Sequence, residues 1–253
     1  MIEANVKRVL DAISPGDVVL DVGGWACPFN RANFVLDSSP FHSRGFYSTF
    51  GGPKSQGGDV EHFSEATWIQ RDMCDRAPYP FADKSVDFVI CSQTLEDVRD
   101  PLWVCSEMIR IGKRGYIEVP SRKAESSRGW EHPRLAGLSH HRWLVDVEGD
   151  QLTFQMKYHL INSHWRFSLP RSFLMSLLDE EKIEYVFWEN SFSFSERIVH
   201  GQEQMAAELE CFVKAVRPYP AWMLATDAWL RNLVGLGRRA ASKLKRPLGR
   251  RNR

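Results

Sequence analysis

The run Val18-Val19-Leu20-Asp21-Val22-Gly23-Gly24 constrains the fold of this chain more than any other segment. Four of the five residues 18–22 are aliphatic, the pattern of a parallel strand covered on both faces. Asp21 interrupts the run where the strand nears its carboxyl end. In open α/β sheets the ligand crevice lies outside those ends. Gly23 and Gly24 lack Cβ atoms, so the backbone can turn sharply there and approach a ligand closely. A second apolar run, residues 34–36, closes on Asp37. The order strand, Asp, Gly pair, strand, Asp points to a nucleotide-type site at the first strand–loop junction.

The rest of the chain fits an α/β domain. Its 253 residues suffice for one substantial core. A hydrophobic content of 43% and a charged content of 26% are ordinary for a soluble protein. The apolar runs are shorter than a membrane span, and Met1-Ile2-Glu3-Ala4 does not read as the start of a signal peptide. Cysteines 27, 74, 91, 105 and 211 are odd in number and lack a Cys-x-x-Cys spacing. Cys91, Cys105 and Cys211 lie in apolar surroundings, so buried free thiols in a reducing compartment are expected, and no zinc site. Residues 231–253 hold nine Lys/Arg and no acidic residue, against 33 basic and 32 acidic residues in the whole chain. The body is therefore acidic and the tail basic.

Strand-like and helix-like segments alternate along the body. Residues 6–13 have helical apolar spacing and end at Ser14-Pro15-Gly16. Strands are expected at 18–22, 33–37, 68–72, 86–92 and 116–119, and any helix between the first pair is limited to a turn or two. Residues 40–66, rich in glycine, serine and aromatics, read as a long loop or lid. Asp100-Pro101 reads as an N-cap with proline at the first position of a helix over 101–111, which Gly112 stops. A hairpin is expected from 143–147 and 152–156, a helix over 170–182, a late strand over 183–188 and a helix over 195–216. The fold class is thus α/β: a Rossmann-like, doubly wound, mostly parallel sheet with a late antiparallel hairpin and a C-terminal helical extension.

Several ordered pieces are more specific than the glycine turn. These are Val-Leu-Asp-Val-Gly-Gly at 19–24, Asp37, Asp72, Tyr-Pro-Phe-Ala-Asp-Lys-Ser-Val-Asp-Phe-Val-Ile at 79–90, Thr-Leu-Glu-Asp-Val-Arg-Asp-Pro at 94–101 and Ser-Glu-Met-Ile-Arg-Ile at 106–111. In these the chain, over about residues 18–120, resembles the class I S-adenosylmethionine-dependent methyltransferases of the type 11 group. The resemblance implies S-adenosyl-L-methionine as cofactor. It places Asp21 and the turn of Gly23 and Gly24 by the methionine portion, Asp37 at the ribose hydroxyls, Asp72 and Met73 by the adenine, and Ser92 and Gln93 next to the sulfonium. Carboxylates accept from hydroxyls and an exocyclic amine, and acidic surroundings suit a cationic ligand. Two positions depart from the family pattern. Trp25 and Cys27 stand where further glycines are usual, and Leu95-Glu96-Asp97 stands for the frequent Leu-Glu-His. Trp25 either fills the cofactor space or swings out to form a wall of the pocket.

On the acceptor side, Gly137-Leu138-Ser139-His140-His141-Arg142-Trp143 carries the candidate catalytic residues, His140 and His141. A histidine near neutral pKa suits deprotonation of a hydroxyl or amine. Neighbours on a strand point to opposite faces, so at most one of the two is expected to face the pocket. A metal site would need further ligands that the spacing does not identify.

The expected organisation is a methyltransferase-like domain over 1–216 (cofactor half 14–120, acceptor-side additions 121–216) and an amphipathic helix with basic tail over 217–253. The acceptor is expected to be a small molecule or a glycan- or lipid-linked intermediate. The protein is expected in the cytoplasm; for its C-terminal segment a helix docked on the body with a disordered basic end ranks first, peripheral contact at the inner membrane surface second and nucleic acid third. The alternative is a non-catalytic binding or scaffold protein whose cofactor site is degenerate at Trp25. A nicotinamide enzyme fits least, because Gly-x-Gly-x-x-Gly is absent.

Overall fold

The apolar runs of the sequence assemble side by side as a parallel sheet, seen in a computed structural model that describes residues 1–217 and Pro220. The first helix, Glu3–Ala12 (α1), leads into Val19–Val22 (β1), Phe34–Asp37 (β2), Trp68–Gln70 (β3) and Phe88–Ser92 (β4). Helix Pro101–Ile111 (α2) crosses to Arg114–Pro120 (β5), followed by the short helix Arg122–Glu125 (α3). The hairpin Trp143–Glu148 (β6) and Gln151–Met156 (β7) comes next. Then follow the short helix Arg171–Leu174 (α4), Ile183–Glu189 (β8), Ser193–Glu196 (β9) and Gln202–Val216 (α5).

The main sheet has the order β3-β2-β1-β4-β5-β8, parallel except for the last pair, and β6-β7-β9 form a second, smaller sheet. Strand order reverses between β1 and β4, so the carboxyl ends of β1, β2 and β4 open onto one crevice. Alternation along the strands divides the core into two layers. Val19, Phe88, Ile90 and Tyr116 face α1 through Val9, together with Phe29 and Ala32. Leu20, Val22, Val89, Cys91, Ile117 and Val119 face the other way, against Val104, Cys105, Met108 and Ile111 of α2 and Val145, Leu152 and Phe154 of the second sheet. Asp100 caps α2 by accepting from the Trp103 amide at 3.0 Å, with Pro101 in the first turn, as its sequence predicts.

The segment between β1 and β2 is made of turns with no helix, because Asp21 Oδ2 accepts from the Phe29 amide at 2.8 Å and folds the loop back over the strand end. Three expectations are corrected. Residues 170–182 form α4 and a separate 3-10 turn, Asp179–Lys182, instead of one helix. Leu174 and Leu177 are buried beside Ala124 whereas Met175 and Leu178 are exposed, so the apolar residues do not share one stripe. Residues 195–196 belong to β9, held parallel to β7, and the last described helix begins only at Gln202 after Gly201 at φ +82°. Cys211 is exposed, unlike the buried Cys91 and Cys105.

The chain divides into a unit Met1–Glu210 and a unit Cys211–Arg253. The expected amphipathic helix and basic tail over 217–253 lie outside the described residues apart from Arg217 and Pro220. Among the described residues no helix is long and apolar enough to cross a membrane.

Candidate functional site

The carboxyl ends of the parallel strands border a cleft of about 1090 Å³ within the first unit. From the sequence-predicted residues it gathers Gly23, Trp25, Asp37, Asp72, Met73, Gln93, His140 and His141. Asp21, Gly24 and Ser92 do not line it. Asp21 is buried beneath the loop, where a Cβ on Gly24 would fall 2.3 Å from its Oδ2. Ser92 Oγ instead donates to Glu118 Oε1 at 3.3 Å, inside the sheet.

The glycine turn is fixed from two sides. Gly23 has φ +82°, its amide donates to the Leu36 carbonyl at 2.9 Å, and a Cβ there would meet Thr94 Oγ1 at 2.2 Å. Glycine is required both by backbone conformation and by the packed loop after β4. Gln93 sits at the end of β4 with φ +55°, an unusual conformation for a side-chain-bearing residue, and its amide donates to the Glu118 carbonyl at 2.8 Å.

Asp37 ends β2 with its carboxylate turned inward. Oδ2 accepts from the Trp25 amide at 3.2 Å and Oδ1 from the Ser39 amide at 2.8 Å. Burial raises its pKa above the ordinary carboxylate value despite these bonds. Asp72 is half exposed. The Cys74 amide, followed by Arg99 at 3.0 Å, holds its carboxyl below the usual range. Trp25 does not lie across the turn. Its indole N–H donates to the Ser43 carbonyl at 2.9 Å and its ring stacks on Phe46 with centroids 4.8 Å apart, making a wall of the cleft with the 41–50 segment.

The other end of the cleft is a cluster of ionisable groups. The Glu96 carbonyl accepts from the Arg142 and Trp143 amides at 2.7 and 3.1 Å, which brings residues 140–141 beside 96–97. His141 is buried. Its Nδ1 lies 2.9 Å from Glu125 Oε2, and its Nε2 lies 3.9 Å from Asp97 Oδ1 and 4.0 Å from Glu96 Oε1. His140 is exposed, with Nε2 3.7 Å from Asp97 Oδ2. Burial opposes the His141 cation, but Glu125, Glu96 and Asp97 outweigh it and raise the imidazole pKa. Burial pushes Glu96 up to about 8 and raises Asp97 as well. Both histidines line the cleft, contrary to the expectation of at most one. They lie in the turn ahead of β6, where strand alternation does not apply.

Glu96, Asp97 and Glu125 are the residues that the sequence reading did not assign to the site. The first two stand in the Leu95-Glu96-Asp97 triplet after β4, which was the available signal. Glu125 has none, because α3 reaches His141 only through the tertiary fold.

Residues 3–123 match the family model described as methionine biosynthesis protein MetW. No curated protein matches the chain. Among solved structures, the chain is similar to a chain of the complex containing the Haloferax volcanii Trm112 methyltransferase activator, at 25% identity and a TM-score of 0.33 over 46% of this chain and 50% of that one. It is also similar to an S-adenosylmethionine-dependent methyltransferase from Aquifex aeolicus, at 16% identity and a TM-score of 0.32 over 47% of this chain and 65% of that one. Each is matched over less than two thirds of its own length. The architecture is a Rossmann-like, mostly parallel α/β sheet.

Proposed function

We propose that this protein transfers a methyl group from S-adenosyl-L-methionine to a small-molecule, glycan-linked or lipid-linked acceptor. One observation carries the reading. Residues from four strand ends, Gly23, Asp37, Asp72 with Met73, and Gln93, border one cleft whose far end holds Glu96, Asp97, His140 and His141.

The residues present fit the cofactor. A carboxylate has about four lone-pair sites, so Asp37 keeps acceptor capacity for ribose hydroxyls beyond its bonds to Trp25 and Ser39. Asp37, Asp72, Glu96, Asp97 and Glu131 outnumber Arg99 and Arg142 along the cleft, and a bound cation would favour their ionised forms. At about 1090 Å³ the cleft lies just above the usual size range of small-molecule sites, about 300–1,000 Å³, and has room for a cofactor and an acceptor together. Met73 and Asp72 would flank the adenine, and Gly23 and Gln93 the methionine portion. When bound, the cofactor supplies an electrophilic methyl group on a sulfonium.

What remains for the chain is alignment, exclusion of water and control of the acceptor's proton. The aromatic wall of Trp25, Phe46 and Tyr47 would shield the centre, and the ionisable cluster would set the acceptor's protonation state. The orientation of Trp25 favours this reading over a degenerate site, since the indole is bonded to Ser43 and not laid over Gly23.

Calorimetric titration of the full chain with S-adenosylmethionine and S-adenosylhomocysteine tests the reading. Saturable binding of both, weakened at least tenfold in Asp37→Asn, is expected. Absence of binding to the folded wild-type chain would sink it.

A further inference from the structure

We infer that the acceptor end of the cleft is a binding site for one divalent first-row transition cation, ligated by Asp97, His140 and His141 with Glu96 beside them. Each of the first three offers one ligand atom, and these atoms lie within 4.8 Å of one another. Ligands on a tetrahedral ion with bonds of about 2.0–2.2 Å stand roughly 3.4 Å apart. The pairs at 3.7 Å (His140 Nε2 to Asp97 Oδ2) and 3.9 Å (His141 Nε2 to Asp97 Oδ1) run to different oxygens of Asp97, so ligation through one oxygen draws the three side chains together from separations of up to 4.8 Å.

Two further features point to a cation. Glu96 is 1% exposed and lines the cleft, yet neither of its carboxylate oxygens has a hydrogen-bond partner, and Asp97 Oδ1 is likewise buried without one. Buried carboxylates without partners are costly, and a positive ion between them offsets that cost. His141 is also oriented as a ligand. Its Nδ1 faces Glu125, whose other oxygen is taken by the Lys157 ammonium. With the proton assigned to Nδ1 by this geometry, the Nε2 lone pair points to Asp97 and Glu96. A carboxylate behind a histidine fixes ring and tautomer in this way at metal centres. Gly137 keeps that carboxylate in place: a Cβ there would fall 2.0 Å from Glu125 Oε1.

Imidazole with carboxylate donors suits zinc, cobalt, manganese or iron(II), whereas magnesium and calcium prefer all-oxygen sets. The site's existence does not depend on the methyltransferase reading. Its role, holding an oxygen-bearing acceptor at an open position of the ion, does rest on that reading.

Cobalt(II) is the test probe. The chelator-treated full chain is titrated with it and followed by calorimetry and visible absorption. The expected result is one ion per chain, with the spectrum of nitrogen and oxygen ligands and no thiolate charge-transfer band, undisturbed by excess magnesium. His140→Ala, at an exposed side chain, should weaken it at least tenfold, and Glu125→Gln about 10–100-fold. Absence of binding, an affinity unchanged in His140→Ala, displacement by magnesium or a thiolate spectrum would each overturn the proposal. Cofactor titration of the metal-free chain separates the two readings. Cobalt binding without cofactor binding sinks the methyltransferase function alone, and the reverse result sinks the metal site alone.

Discussion

A Cβ on Gly23 would lie 2.2 Å from Thr94 Oγ1, so the turn after β1 and the turn after β4 are packed to the limit of a glycine. This contact joins the two loops on either side of the point where strand order reverses. Gly23→Ala should cost about 2–4 kcal/mol, combining the strain of an L-residue at positive φ with the displacement of Thr94. Thr94→Gly in the same chain should recover the steric part and leave the conformational part. Urea unfolding of the two single variants and the double variant gives the coupling energy. Strict additivity would show that the two loops are not in contact.

Trp25 occupies a position where extra room for a ligand would ordinarily be expected, yet it holds the loop to the 41–50 segment through Ser43 and Phe46. Trp25→Gly should therefore lower stability by about 1–3 kcal/mol, through the lost stack, hydrogen bond and burial. It should also weaken S-adenosylhomocysteine binding, because a loop freed from Ser43 and Phe46 no longer holds the residue 25 amide in place against Asp37. Thermal melts and calorimetry on one preparation check both effects. Tighter binding by the glycine variant would instead identify the indole as a plug.

Burial raises Asp21 from 3.8 to about 7. Between those values the folded chain keeps a proton that the unfolded chain has released. This group's contribution therefore makes stability fall as pH rises through that interval, and flattens above it. Asp21→Asn keeps an oxygen to accept from the Phe29 amide and removes the titration. Urea midpoints between about pH 5 and about pH 7 should then decline less steeply in the variant than in the wild type. Equal slopes would show that Asp21 ionises normally in the folded chain.

The sequence carries the parallel sheet plainly, because strands buried on both faces read as unbroken apolar runs. Residues 18–22 and 86–92 announce β1 and β4, and Asp100-Pro101 marks the start of α2 at its observed first residue. Segments governed by partners distant in sequence are less legible. Phe173, Leu174, Leu177 and Leu178 mimic a helical stripe over 170–182, but the local chain breaks after Leu174, and Leu178 is exposed while the other three pack at Ala124. The site divides in the same way. Gly23, Asp37 and Gln93 are set by strand ends, so topology brings them together. Asp21 meets the same rule and yet turns under the loop to the Phe29 amide. The cluster at Glu96, His141 and Glu125 depends on the 126–142 excursion returning beside Glu96, and no local periodicity encodes that return.

Glu125 and Lys157 form a buried ion pair beneath the acceptor end, with side chains 1% and 6% exposed. The ammonium also donates to the Leu138 carbonyl at 2.7 Å, which ties the segment before His140 to β7's end. Removing one member of such a pair leaves the other charge without compensation, whereas replacing both by apolar groups is often tolerated. Glu125→Ala should therefore destabilise by about 3–5 kcal/mol, and Glu125→Ala with Lys157→Met by markedly less. Glu125→Gln, which keeps an oxygen acceptor, should fall between wild type and the alanine variant. Urea unfolding at neutral pH of these chains and of Lys157→Met alone completes the cycle. A double variant no more stable than Glu125→Ala alone would mean that the carboxylate is held by His141 and the backbone around Gly137, and that Lys157 contributes through its bond to Leu138 instead.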